Sequence, residues 1–221
     1  MNPPASAPAS RTVLLAGATG LVGRELLRGL LADDTVAAVH VLARRAPDLQ
    51  SPRLTVHQVD FAALPDLPPA DEVYLAIGTT IKVAGSQQAF RAVDFDANLA
   101  VARAARASGA RRLGLVSAMG ADARSSIFYS RVKGELEEAL AGLGYEGLVI
   151  ARPSMLGGDR VALGQPERGG EVLALKVSRW LRPLIPANYR SIQAADVARA
   201  LLREVPKAGG KKVLPSGAMQ P

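Results

Sequence analysis

Tyr129 and Lys133 stand four residues apart, a spacing that puts both side chains on one face of a helix. A phenol titrates at about pH 10 and is a poor acid–base catalyst near neutrality, but a neighbouring ammonium favours the phenolate and lowers that value. The pair could therefore move a proton; the plainer reading is two surface neighbours one turn apart. Ser117 ends an apolar run upstream. Its hydroxyl could bond a substrate carbonyl or only cap the following turn.

A second set of residues points to a ligand. The run Gly17-Ala18-Thr19-Gly20-Leu21-Val22-Gly23 lies directly between an apolar stretch and a helical pattern. In a strand–turn–helix, Gly17 permits the tight turn, Gly20 lets the backbone approach a pyrophosphate on the helix N-terminus, and Gly23 lets helix and strand pack closely. A bound dinucleotide is implied, with Gly17, Thr19, Gly20, Leu21 and Val22 as candidate contacts.

Where an acid at the end of the second strand would bond the ribose 2′-hydroxyl of NAD, this chain has Arg44 and Arg45. Two guanidiniums can grip a 2′-phosphate bidentately, so NADP(H) is expected in preference to NAD(H); the alternative is a pair of ordinary loop arginines. Asp60 and Phe61 follow the third strand, where a carboxylate could accept from the adenine amino group. Gly78 and Thr79, followed by Thr80, end the fourth strand.

These residues need elements that bring strand ends together. Apolar runs at 12–16, 38–43, 54–59, 73–77, 113–117, 148–151 and 212–214 read as strands, and helical spacing covers 21–34, 87–108, 125–141 and 194–204. This alternation predicts an α/β fold: a Rossmann-type, doubly wound parallel sheet with helices on both faces. Residues 1–10, rich in Pro, Ala and Ser, read as a flexible tail, and 11–221 as one NAD(P)-binding domain. A small substrate-side extension is expected at about 152–190. Met155, Leu156, Trp180 and Leu181 could wall a pocket there, and Arg182 or Arg190 could meet an anion, although packing explains the apolar ones equally well.

Composition excludes several classes. The 221 residues are 48% hydrophobic and 21% charged, the balance of a globular chain rather than a disordered one. The absence of cysteine removes disulfides, thiolate metal sites and a cysteine nucleophile. Only His40 and His57 could supply imidazole, each inside a strand-like run, so neither a metal site nor a Ser/His/Asp triad is expected. A net charge of +7 invites nucleic acid. The basic residues are scattered doublets, and four Phe, four Tyr and one Trp leave few stacking platforms, so no nucleic-acid partner is expected. No apolar stretch approaches the roughly 20 residues that span a bilayer. The N-terminus lacks a basic residue ahead of an apolar core, and a cytoplasmic location is expected. The partner is a small-molecule substrate, and either a monomer or a homodimer is compatible.

The glycine run, Ser117, Tyr129 and Lys133 occur in an order that resembles the short-chain dehydrogenase/reductase superfamily. Arg152-Pro153 after the sixth strand and Arg190-Ser191-Ile192-Gln193-Ala194-Ala195-Asp196 look like its extended or atypical, NAD-dependent epimerase/dehydratase-like branch. The stretch from Ala76 through Val93-Asp94-Phe95-Asp96, Ser117-Ala118-Met119-Gly120 and Tyr129 to Lys133 is most similar to the small Tat-interacting-protein-like oxidoreductases, which bind NADPH.

The resemblance implies that Tyr129 protonates a carbonyl oxygen as hydride leaves nicotinamide C4. Ser117 would orient that oxygen, Lys133 would hold the ribose and tune Tyr129, and Arg152 and Pro153 would contact the cofactor. Where the family often has Asn in the helix after the fourth strand this chain has Asp94, and where a serine pair is common Ala118 follows Ser117. The expected function is an NAD(P)H-dependent oxidoreductase acting on a small carbonyl or alcohol. The alternative is a non-catalytic NADP(H)-binding sensor; a nucleotide-sugar epimerase ranks below both, because little chain remains after Arg152.

Overall fold

The computed structural model describes residues 10–157 and 186–220. Seven strands form one sheet: β1 (Arg11–Ala16), β2 (Val36–Ala43), β3 (Leu54–Gln58), β4 (Glu72–Leu75), β5 (Arg112–Val116), β6 (Gly147–Arg152) and β9 (Gly210–Pro215). Their order is β3-β2-β1-β4-β5-β6-β9 and every pairing is parallel. The fold is thus the Rossmann-like α/β class expected. Two further short strands, β7 (Leu156–Gly157) and β8 (Ile192–Gln193), pair with each other alone.

Alternation along the central strands feeds two apolar layers. Val13 and Leu15 of β1, Val39 and Val41 of β2 and Val149 of β6 face one way, against α1 (Leu21–Ala32) and α6 (Ala194–Glu204). Leu14, Leu42, Leu75, Leu115 and Ile150 face the other, against α4 (Asn98–Ala107) and α5 (Phe128–Ala141). Both faces of the sheet are covered, which is why β1 and β6 read as unbroken apolar runs rather than alternating ones. The order in which strands are added reverses between β1 and β4: β2 and β3 lie to one side of β1, and the chain then returns to β1's other edge. Loops leaving the C-terminal ends of β1 and β4 therefore flank a crevice, the position where such sheets bind ligands.

Three local differences from the sequence reading bear on the site. The helix expected over 87–108 is α3 (Gln87–Arg91), a π-helical turn (Ala92–Ala97) and α4. A short helix, α2 (Ile81–Ala84), precedes it; Thr80 caps α2 by accepting from the Val83 N–H, and Ser86 caps α3 by accepting from the Ala89 N–H. Finally, α5 begins at Phe128 rather than 125. Asp122 Oδ1 accepts from the Arg124 N–H and Ser125 Oγ from the Ile127 N–H, side-chain bonds that hold this stretch in turns instead of helix. Expectations for the tail at 1–9 and for Trp180, Leu181 and Arg182 fall outside the described residues.

Candidate active site

The glycine run builds the first wall of the crevice. Gly17 has φ +92°, a left-handed conformation, and a Cβ there would overlap the Ala76 carbonyl group and lie 2.6 Å from the Ile77 nitrogen. A Cβ on Gly23 would overlap the Gly17 carbonyl oxygen, so α1 rests directly on the turn. Gly20 is the N-cap and brings no side-chain bond, and the first backbone bond back to it is Arg24 N–H to its carbonyl, at 2.9 Å. The opening amides of α1, those of Leu21 and Val22 among them, have no partner within the helix and are a natural seat for an anion. Arg44 and Arg45 are exposed just after β2, on the neighbouring strand. This donor set suits a dinucleotide phosphate.

The opposite wall is the turn after β4. Thr79 donates its N–H to Asp94 Oδ2 at 2.8 Å, and Asp94 Oδ1 meets Lys133 Nζ at 2.6 Å. Asp94 is fully buried and Lys133 is 5% exposed. A Cβ on Gly78 would lie 3.5 Å from Asp94 Oδ1 and 3.9 Å from Lys133 Nζ, so the ammonium sits against this turn. Asn98 ties the same region together. Its Nδ2 donates to the carbonyls of Ile77 (3.1 Å), Asp94 (3.1 Å) and Val93 (3.3 Å), and its Oδ1 is buried with no partner among the described residues. A π turn leaves carbonyls outside the regular helical ladder, and the Asn98 amide takes two of them.

One turn before Lys133 on α5, Tyr129 packs its ring on Phe90 with centroids 5.5 Å apart. It is half-buried, and its hydroxyl has no hydrogen-bond partner among the described residues.

Other predicted residues are placed differently from their expected roles. Ser117 is buried, and its hydroxyl donates to Glu137 Oε1 at 2.5 Å. Arg152 is turned to the same carboxylate, with Nη2 2.6 Å from Oε2 and Nε 3.1 Å from Oε1. That charge-assisted bond pushes the guanidinium pKa further up, against a smaller opposing effect of burial. Ser117 and Arg152 thus form one network around Glu137 rather than two free groups in the crevice. Pro153 accepts the Met119 N–H at its carbonyl, 2.8 Å away, locking the loops after β5 and β6 together. Asp60 is exposed and accepts from the Ala62 N–H at 2.9 Å, which makes it the cap of its own turn, and Phe61 packs at the edge of the core. Among the described residues no group of three metal-ligating side chains exists, and His40 and His57 bond to each other at 2.9 Å.

Neither Asn98 nor Glu137 stands out by its sequence position, and Asp94 stands out only as the residue found where the wider superfamily often has Asn. The signal for Glu137 is periodic: Tyr129, Lys133 and Glu137 repeat every four residues along one stripe of α5, and two of the three are buried charges.

A parallel doubly wound sheet with a glycine turn at its switch point is the architecture of a Rossmann-type dinucleotide-binding protein. The sequence profile described as NAD(P)H-binding matches residues 17–158, and the chain belongs to that family. Among solved structures it is similar to a short chain dehydrogenase family protein from Francisella tularensis (12% identity, TM-score 0.69, covering 95% of this chain and 99% of that one). It is also similar to a UDP-N-acetylglucosamine 4-epimerase from Methanobrevibacter ruminantium (14% identity, TM-score 0.68, 93% and 76%). Both likenesses concern the fold.

Relatives in sequence include the mitochondrial protein fmp52 of Aspergillus niger, 33% identical over 91% of this chain and 92% of the relative. FMP52 of Candida albicans is 31% identical over 86% of each. These names overturn the cytoplasmic location expected above: such relatives are named mitochondrial. The lack of a secretory pattern does not bear on a mitochondrial address, which is amphipathic and basic rather than continuously apolar.

Proposed function

We propose that the protein is an NADP(H)-dependent oxidoreductase that interconverts a small carbonyl compound and its alcohol, with Tyr129 as the acid and base. The observation that carries this reading is the α5 pair: a buried lysine held against the Gly78–Thr79 turn, with an unengaged phenol one helical turn away. When bound, the nicotinamide supplies or accepts the hydride. In the reducing direction the Tyr129 hydroxyl gives its proton to the carbonyl oxygen as the carbon gains the hydride, and the tyrosinate is reprotonated from water. Lys133 stabilises that tyrosinate by its charge and offers its remaining N–H groups to the ribose hydroxyls. The uncapped start of α1 holds the pyrophosphate, and Arg44 and Arg45 hold the 2′-phosphate.

Ser117 contributes differently from the expectation. Its one proton is given to Glu137, so towards a substrate it can only accept, which suits the hydroxyl of an alcohol better than a carbonyl oxygen. The same observation supports the second reading, a protein that binds NADP(H) and signals its presence without turnover. The relatives' names favour action in mitochondria.

Calorimetric titration with NADPH and NADH, repeated with Arg44→Ala/Arg45→Ala, tests the cofactor assignment. A preference for NADPH of tenfold or more, about 1.4 kcal/mol, should vanish in the double variant. Tyr129→Phe should abolish NADPH-dependent reduction across an aldehyde and ketone panel while leaving NADPH affinity intact. Unchanged turnover in that variant sinks the mechanism, and a wild-type protein that binds NADPH yet turns over nothing puts the sensor reading first.

A further inference from the structure

We propose that Asp94 is the positioning residue that aims Lys133 at the nicotinamide ribose, and that the π turn is the device that delivers it. The inference rests on the oxidoreductase reading above and assigns a role to a residue at which this chain departs from the pattern of its wider superfamily.

A buried ammonium is costly to hold without a counter-charge, and in the described structure Asp94 is the carboxylate that meets Lys133, at 2.6 Å. The contact does more than neutralise. The second oxygen of Asp94 accepts from the Thr79 N–H at 2.8 Å, so a single carboxylate joins three separate elements: the π turn, the turn leaving β4, and α5. An ammonium has three N–H groups in a fixed tetrahedral arrangement. The ion pair with Asp94 sets where the ammonium sits, and so what its N–H groups can reach, with the side-chain-free Gly78 alongside, its would-be Cβ 3.9 Å from Nζ.

The aim of Asp94 is itself held. Asn98 donates to the carbonyls of Val93 and Asp94 within the π turn and to that of Ile77 at the end of β4. Helix and strand end are thereby fastened to each other on either side of the carboxylate.

The test separates the two halves of the cofactor. Wild type, Asp94→Ala, Lys133→Met and the double variant are titrated calorimetrically with NADPH and with 2′,5′-ADP, which carries the 2′-phosphate but no nicotinamide ribose. Asp94→Ala is expected to weaken NADPH at least tenfold while leaving 2′,5′-ADP within about twofold, a split that a merely structural role would not produce. Lys133→Met should show the same split, and Asp94→Ala should add no further loss in the Lys133→Met background, because it acts through that lysine. The double variant also removes the stranded ammonium that could unfold the single one. Asp94→Ala binding NADPH as wild type does, losses that add in the double variant, or equal loss of both ligands would each overturn the proposal. A wild type that binds neither ligand overturns instead the reading on which it rests.

Discussion

A hydroxyl has one proton to give, and Ser117 gives it to a carboxylate that is itself 2% exposed and clamped by Arg152. Ser117→Ala should therefore act on stability: loss of a buried charge-assisted bond is expected to cost about 1.5–3 kcal/mol, read from urea unfolding, with NADPH affinity unchanged. Gly23→Ala should do the reverse in kind. Its methyl overlaps the Gly17 carbonyl, so the turn must shift, and NADPH binding is expected to fall at least tenfold in a titration. The two cases show which residues can be read from a sequence. Gly17, Gly20 and Gly23 are legible because a strand–turn–helix is local and each glycine has a steric reason within it. Glu137 is not, because a carboxylate on a helix looks like a solvated one until its partners, Ser117 and Arg152, are brought from elsewhere in the chain; position 94 is legible as a departure from the superfamily's Asn, but its contact with Lys133 is not.

Whole elements were more legible than their ends and interruptions. The apolar runs predict the seven strands of the main sheet but not β7 and β8, and 194–204 coincides with α6, since periodicity reports burial over several turns. The π turn has no such signature: the apolar positions Phe90, Val93 and Leu99 that read as helix run straight through it, and the Asn98 amide takes the Val93 and Asp94 carbonyls. Strands β2 and β3 carry a separate device. His40 and His57 share a hydrogen bond across them, and burial first, then the neighbouring His57, holds His40 below the usual imidazole pKa. A group whose folded pKa is depressed stabilises the fold above its unfolded value and loses that contribution as pH falls through the folded one. Unfolding free energy should accordingly decline as pH falls below about 6.5, and His40→Gln should flatten that part of the profile. Urea titrations at about pH 5.5 and 7.5 decide the matter; identical slopes in wild type and variant would refute it.

At the scale of the molecule, a second stabilising network lies at the end of the sheet away from the crevice. Far from the crevice, Arg11 bonds Glu72 at 2.6 Å and Asp33 at 2.5 Å, and Tyr74 donates to Glu72 at 3.0 Å. Burial raises the Glu72 pKa, with Arg11 opposing, and burial and Glu72 together lift Tyr74 well above the ordinary phenol value. Arg11→Ala strands a carboxylate that is 1% exposed, and should cost about 3–5 kcal/mol in thermal or urea unfolding, with Glu72→Gln recovering part of the loss. Cofactor affinity measured well below the melting temperature should not change. Beyond β6 the chain leaves the sheet through β7 and re-enters through β8, and these two strands run side by side, with Ile192 donating its N–H to the Met155 carbonyl at 3.0 Å. That pairing works as a clasp. It brings residues far apart in the sequence to one strand spacing and so fixes where α6 starts relative to the end of β6. Because the entropy of holding two chain positions together grows only slowly with the number of residues between them, by about 0.6 kcal/mol for each doubling, a clasp across so long a separation costs only modestly more than one across a short turn.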